Sequence, residues 1–152
     1  MGTDLQQTDT GEMELAGSTG AFNAANFGRA GFEVEQMTYD PNSGNVVMFT
    51  ADRSWRIKSL IVRIDAPGTD AAAVNVRFRK VTSGQAITAG TLVDSSTINL
   101  KGAANSHTVR SNASATWVPD AALLAPGDSL GLQFGGVLTS ARGSITVTLA
   151  PV

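Results

Sequence analysis

Three short segments of this chain alternate apolar and polar residues so strictly that only one local geometry accommodates them. Val74, Val76 and Phe78 alternate with Asn75, Arg77 and Arg79; Leu130, Leu132 and Phe134 with Ser129, Gly131 and Gln133; Ile145, Val147 and Leu149 with Ser144, Thr146 and Thr148. A strand sends successive side chains to opposite faces, so each segment has one apolar face and one polar face; a helix would scatter the same residues around its circumference. Each therefore reads as a half-buried strand, and each apolar row needs a second apolar surface to cover it.

The remaining segments follow the same grammar. Val34–Tyr39 and Val46–Thr50 flank the turn cluster Pro41-Asn42-Ser43-Gly44, which predicts a first hairpin there. Trp55–Ala66 has two phases: Trp55 and Ile57, then Leu60, Val62 and Ile64 on the opposite parity, so a bend or bulge near Lys58-Ser59 is required to keep one face inward. Thr97–Leu100, His107–Arg110 and Thr116–Val118 read as shorter strands, and Ala121–Ala125 as a single helical turn. With 16 Gly and 5 Pro marking the turns, eight to ten strands fit into 152 residues. The expected fold is all-β, an antiparallel β-sandwich. Its long, uneven connections make it jelly-roll-like rather than immunoglobulin-like. There is no cysteine, so neither disulfides nor thiolate chemistry is open to it.

The start of the chain differs. Residues 1–33 show no sustained period and read as an extended N-terminal arm, with residues 34–152 as the sandwich domain. Phe22, Phe27 and Phe32 are spaced by five, as apolar anchors on an extended segment would be. Residues 1–50 hold seven acids, among them Asp4, Asp9, Glu12 and Glu14, against one base, Arg29, a net of −6; residues 51–152 hold six acids and ten bases, a net of +4. Such asymmetry predicts an acidic arm meant for a basic surface. The opening residues lack a basic flank and an apolar run, so no signal peptide and no membrane partner are expected.

Candidate chemistry is sparse. His107 is the single histidine; a Ser-His-Asp arrangement would need Ser106 or Ser111 with Asp94 or Asp120, and no nucleophile elbow occurs. Glu12/Glu14 and Glu33/Glu35 are the carboxylate pairs, neither in an apolar setting that would separate their pKa values. Gly28-Arg29-Ala30-Gly31 and Gly135-Gly136 lack the strand-to-helix context of a phosphate loop. No catalytic residue, cofactor or metal is therefore expected, and the protein reads as non-enzymatic. Arg77 and Arg79 form a cationic stripe on an outer sheet face, a possible intersubunit contact for the acidic arm. An acidic pI near 5.2 argues against nucleic acid as its partner. Trp55, Trp117 and Tyr39 are the candidates for a glycan-stacking site.

The segments PGTDAAAVNVRFRKVTSG (67–84), STINLKGAANSHTV (96–109) and LLAPGDSLGLQFGGVLTSARGSITVTL (123–149) resemble a group of small all-β virion proteins of tailed bacteriophages, of the head decoration or cement type. The resemblance spans about residues 55–150, leaves the first 50 unmatched, and rests on segment order and turn-strand texture. It implies a virion location on the outer head surface, the major capsid protein as partner, and self-association, with a homotrimer expected. Phe22, Phe27, Arg29 and Phe32 would then be arm contacts, and Asp4, Asp9, Glu12 and Glu14 would face basic residues. Two alternatives stay open: a receptor- or glycan-binding sandwich of a fibre, and a head–tail or tail structural component.

Overall fold

The computed structural model describes residues 31–152, together with the backbone of two short strands, β1 (Leu5–Gln7) and β2 (Met13–Leu15), paired antiparallel with Leu5 opposite Leu15. They belong to a unit separate from the body that begins at Glu33. The sequence pattern places no strand before Val34, because three residues per strand give only a single alternation to read.

The body runs β3 (Glu33–Tyr39), β4 (Val46–Thr50), β5 (Trp55–Ala66), β6 (Asn75–Val81), a 3-10 turn η1 (Ile87–Ala89), β7 (Thr91–Leu92), β8 (Ile98–Asn99), β9 (Ser106–Ser111), β10 (Leu123–Leu124), β11 (Ser129–Gly135) and β12 (Arg142–Pro151). One five-stranded sheet has the order β10-β5-β12-β3, with β9 also on β5; the other has the order β4-β11-β6-β7, with β8 also on β6. The chain changes sheet at each step from β3 to β6, stays in the second sheet through β8, returns for β9 and β10, then crosses twice more to β11 and β12. The pairings are therefore nested, with β3 on β12 outermost, then β4 on β11, β5 on β9 and β10, and β6 on β7 and β8. This is the jelly-roll form of the antiparallel sandwich.

One expected hairpin does not form. The turn after β3 folds as its residues dictate: Ser43 N–H donates to Asp40 O at 3.0 Å and Asn42 N–H to Asp40 Oδ1 at 2.8 Å. Yet β3 pairs with β12 and β4 with β11, so this turn is a corner between sheets. Turn chemistry reverses the chain without choosing the partner; the long apolar rows of β11 and β12 do that. The inward parity of β5 changes at Lys58-Ser59, where the sequence places it. Trp55 and Ile57 are buried before Lys58-Ser59, and Leu60, Val62 and Ile64 after it. The two parts also have different neighbours: β10 pairs with Trp55 and Arg56, and β9 with Ser59–Ile64.

Two further expectations need correction. Thr116–Val118 contributes only a single bridge, Trp117 to Asp94, made by Val118 N–H on Val93 O and Ser95 N–H on Thr116 O; Val93 N–H is taken by Phe78 O and Pro119 has no N–H to extend the ladder. In Ala121–Ala125 one helix-like bond, Ala122 N–H to Val118 O, gives way to β10, whose carbonyl and amide groups find a better ladder on β5.

The interior is built from alternate residues of both sheets: Ile57, Leu60 and Val62 of β5 and Ile145, Val147 and Leu149 of β12 face Val76 and Phe78 of β6 and Leu130 and Leu132 of β11. Each such side chain contributes about 1.5–3 kcal/mol by leaving water. At one edge the Tyr39 ring packs on Phe134 at 6.0 Å and its hydroxyl donates to Arg63 O at 3.1 Å. Gly143 lies opposite Tyr39, and a Cβ there would overlap Arg63 O and the Tyr39 hydroxyl, so glycine is what lets the hydrogen bond form.

Burial, with a smaller push from the Asp65 charge, raises the Tyr39 pKa to about 12 from 10.0. The unfolded chain therefore loses this proton at lower pH than the native one, so stability is full below pH 10 and falls as pH rises toward 12. The expected loss is about 2–3 kcal/mol across that window. Urea unfolding at stepped pH should show it in the parent and not in Tyr39→Phe; equal pH slopes in the two would contradict it.

Candidate functional site

The outward rows of β6 and β11 meet in register: Asn75 opposite Gly135, Arg77 opposite Gln133, Arg79 opposite Gly131 and Val81 opposite Ser129. Arg77 and Arg79 thus share a face, as their alternation requires, but the structure gives them different surroundings. The segment carrying η1 covers one half of the face. Ile87 sits so close over Gly131 and Val81 that a Cβ on Gly131 would lie 3.0 Å from both side chains. Arg79 is caught at the margin of this cover, its Nε–H donating to Gln133 Oε1 at 2.6 Å and its terminal nitrogen to Gly90 O. Burial first, and the Arg77 charge second, lower its pKa.

Arg77 stands on the uncovered half. Among the described residues it makes no hydrogen bond and no ion pair. It lines a concavity of about 410 Å³ with Ala72, Ala73, Asn75, Gln133, Gly135 and Gly136. Two glycines shape it. A Cβ on Gly135 would lie 2.6 Å from the Asn75 side chain, so Asn75 can lie across that position only because it is bare. Gly136, at φ +80°, sits where a Cβ would overlap Ala73 O, which brings the 72–73 backbone in as a wall. Sequence reasoning finds Arg77 and misses Asn75, Gln133 and the glycine pair. The pair carries no phosphate-loop signal, and its meaning emerges only from the strand register.

A second polar cluster lies inside. Asp94, 2% exposed, accepts from Ser96 N–H at 2.8 Å and from the Ser96 hydroxyl on Oδ1, and from the Thr116 hydroxyl at 2.9 Å on Oδ2; Arg110 Nε lies 3.5 Å from Oδ2. It joins three separate stretches of chain around one carboxylate. His107 is remote from this chemistry: it is exposed on the outer face opposite Arg63, while Ser106 and Arg110 point to the other side of β9. Ser111, on the same face as His107, accepts from Ala113 N–H, and among the described residues His107 makes no hydrogen bond to a serine or an aspartate. Among the described residues no group of three or more His, Asp or Glu is placed to hold a metal ion.

The glycan-stacking candidates belong to the core: Tyr39 is 2%, Trp55 6% and Trp117 9% exposed. Trp55 Nε1–H donates to Asp52 Oδ1 at 2.8 Å, and Arg53 lies over the ring. Of the arm contacts, Phe32 is 63% exposed. Glu14 is present as backbone opposite Gln6, and Asp4, Asp9, Glu12, Phe22, Phe27 and Arg29 lie outside the described residues.

No protein-family model and no curated protein matches the chain. A solved structure similar to it, titled "Structure of infectious bursal disease virus Gx strain", shares 12% identity at a TM-score of 0.35, the likeness covering 80% of this chain and 30% of that one. This chain spans less than a third of that chain, and so loose a likeness bears on neither function nor partner.

Removing the Asp94 carboxylate strands Arg110 and the Thr116 hydroxyl. Asp94→Ala should cost about 3–5 kcal/mol in urea unfolding, as expected when one partner of a buried pair is lost. The added change Arg110→Met should recover part of it. A cost below about 1 kcal/mol, the value of an exposed pair, would show that the cluster does not pin the fold.

Proposed function

We propose that the protein is a non-enzymatic structural component of a tailed-bacteriophage virion, a decoration or cement protein that binds the outer head surface and reinforces contacts between capsid subunits. The fold does not select this role, since jelly rolls also serve as lectin and enzyme scaffolds. The observation that carries the reading is the segment order across about residues 55–150, which resembles such virion proteins and coincides with the body of the sandwich. Two further features support it. The acidic leading stretch belongs to a unit separate from the body, and Phe32 at the junction is exposed.

In this reading residues 1–33 carry most of the affinity. Phe22, Phe27 and Phe32 serve as apolar anchors, with Arg29 among them, and Asp4, Asp9, Glu12 and Glu14 lie against basic residues of the major capsid protein. Assembly as a homotrimer would let three arms act together, each raising the effective concentration of the others.

Heads purified without this protein are the test. The full chain should bind them and resist dissociation less as salt rises, because the acidic contacts are screened. Neutralising Asp4, Asp9, Glu12 and Glu14, or changing the three phenylalanines to serine, should lower occupancy at least about tenfold, equivalent to about 1.4 kcal/mol. Unchanged occupancy would reject the arm; binding to tails and not to heads would replace this reading with a tail component.

A further inference from the structure

We propose that the concavity around Arg77, on the outer face of the second sheet, is a carboxylate-binding site. Its side chains supply donors toward the space. Arg77 presents a planar fork with five N–H groups, the geometry that suits a carboxylate. Gln133 is oriented by its neighbour: its Oε1 is taken by Arg79 Nε–H at 2.6 Å, which leaves its amide N–H groups to donate elsewhere. Asn75 adds a second side-chain amide, and among the described residues no acid lines the space.

Geometry selects the ligand class. The N–H donors of Arg79 are spent on Gln133 and Gly90, so among the described residues Arg77 is the guanidinium left to fork a planar carboxylate. The volume, about 410 Å³, lies within the range of small-ligand sites. The walls are preformed, since the glycines that shape them are held by the register of β6 on β11 and by the 72–73 backbone. Less ordering is then needed on binding.

A carboxylate can come from two sources: a small free acid, or an acidic peptide. This chain has such a segment, with Asp4, Asp9, Glu12 and Glu14 and no Lys or Arg before Arg29. The site stands independently of the virion reading. Loss of carboxylate binding would leave head occupancy untouched, and loss of occupancy would not remove the site.

The test uses the full chain carrying Asp4→Asn, Asp9→Asn, Glu12→Gln and Glu14→Gln, so that its own acids do not compete. Nitrogen-15 spectra would follow the Arg77 Nε–H and the Asn75 and Gln133 amides during titration with acetate, with a peptide of residues 2–15, with the same peptide neutralised, and with inorganic phosphate. Saturable shifts are expected with acetate, at roughly millimolar affinity, with phosphate weaker. Adding Arg77→Gln should raise the dissociation constant at least about tenfold, and Arg77→Lys less, because the charge stays and the fork is lost. Tighter binding of the acidic peptide than of acetate, absent from the neutral peptide, assigns the site to acidic protein segments; acetate binding alone assigns it to free acids. No saturable shift with either carboxylate, equal shifts in a folded Arg77→Gln variant, or phosphate binding as tight as acetate would each overturn the proposal.

Discussion

One apolar layer between two sheets supplies the cohesion of the body. No cysteine is present to staple the sheets, and the core residues Leu60, Val62, Val76, Leu130, Leu132, Ile145, Val147 and Leu149 are all fully enclosed. A layer of this kind forms only if every strand keeps a single parity toward its partner sheet, because a slip of one residue turns a whole apolar row to water. The crossings between sheets follow from that demand. Nesting β4 on β11 inside β3 on β12 brings distant rows of matching parity face to face, which a simple meander of the same strands would not do.

With the middle of the sandwich apolar, the polar work falls to its ends, and three aspartates do much of it. Asp94 gathers Ser96, Thr116 and Arg110. Asp128 accepts from Ala125 N–H at 2.9 Å and pairs with Lys80 at 3.2 Å, and Lys80 in turn donates to Leu123 O at 2.7 Å. Asp52 holds the Trp55 indole N–H at 2.8 Å. That last bond, with the nearby Arg53 charge contributing less, lowers the pKa of the exposed Asp52 carboxyl, so its contribution is present at neutral pH and fades as pH falls through the acidic range. The Lys80 contacts matter for the outer surface too, because they anchor the end of the strand that presents Arg77 and Arg79.

The strands that could be read from sequence are those with at least three alternations. β6, β11, β12 and the two-phase β5 show their inward rows directly, and counting them was enough to suggest the sandwich and its jelly-roll form. Two-residue strands such as β7 and β10 leave no such trace, whereas β8 lies within the expected strand Thr97–Leu100. The partner of β3 was equally hidden, because Asp40-Pro41-Asn42-Ser43 specifies a reversal and nothing about destination. At the candidate site, alternation identified Arg77 and Arg79 as outward. It could not separate them, since what does so is the η1 segment, laid over Gly131 by contacts between residues far apart in sequence. Trp55, Trp117 and Tyr39 illustrate the converse: a large amphipathic ring reads equally as surface or core until its polar atom is seen to find a partner inside.

The sheet edges constrain how copies or partners can meet this body. Among the described residues β3 and β4 each end a sheet at one side, and each would offer unpaired backbone groups to an added strand. The register places Glu33 opposite Leu149 and Glu35 opposite Val147, so both carboxylates share the inward face of β3 with Met37 and Tyr39. A strand added beside β3 would extend that inner face and strip water from two charges that have no cation opposite them, at a cost of several kcal/mol each. β4 is guarded differently: its register on β11 slips between Leu130 and Gly131, leaving Met48 as an extra residue that twists the edge out of line. Growth by strand addition beside β3 or β4 is therefore disfavoured. Charges on the outer faces do not carry that penalty, since they stay hydrated until an opposite charge arrives, and Arg77 is such a charge.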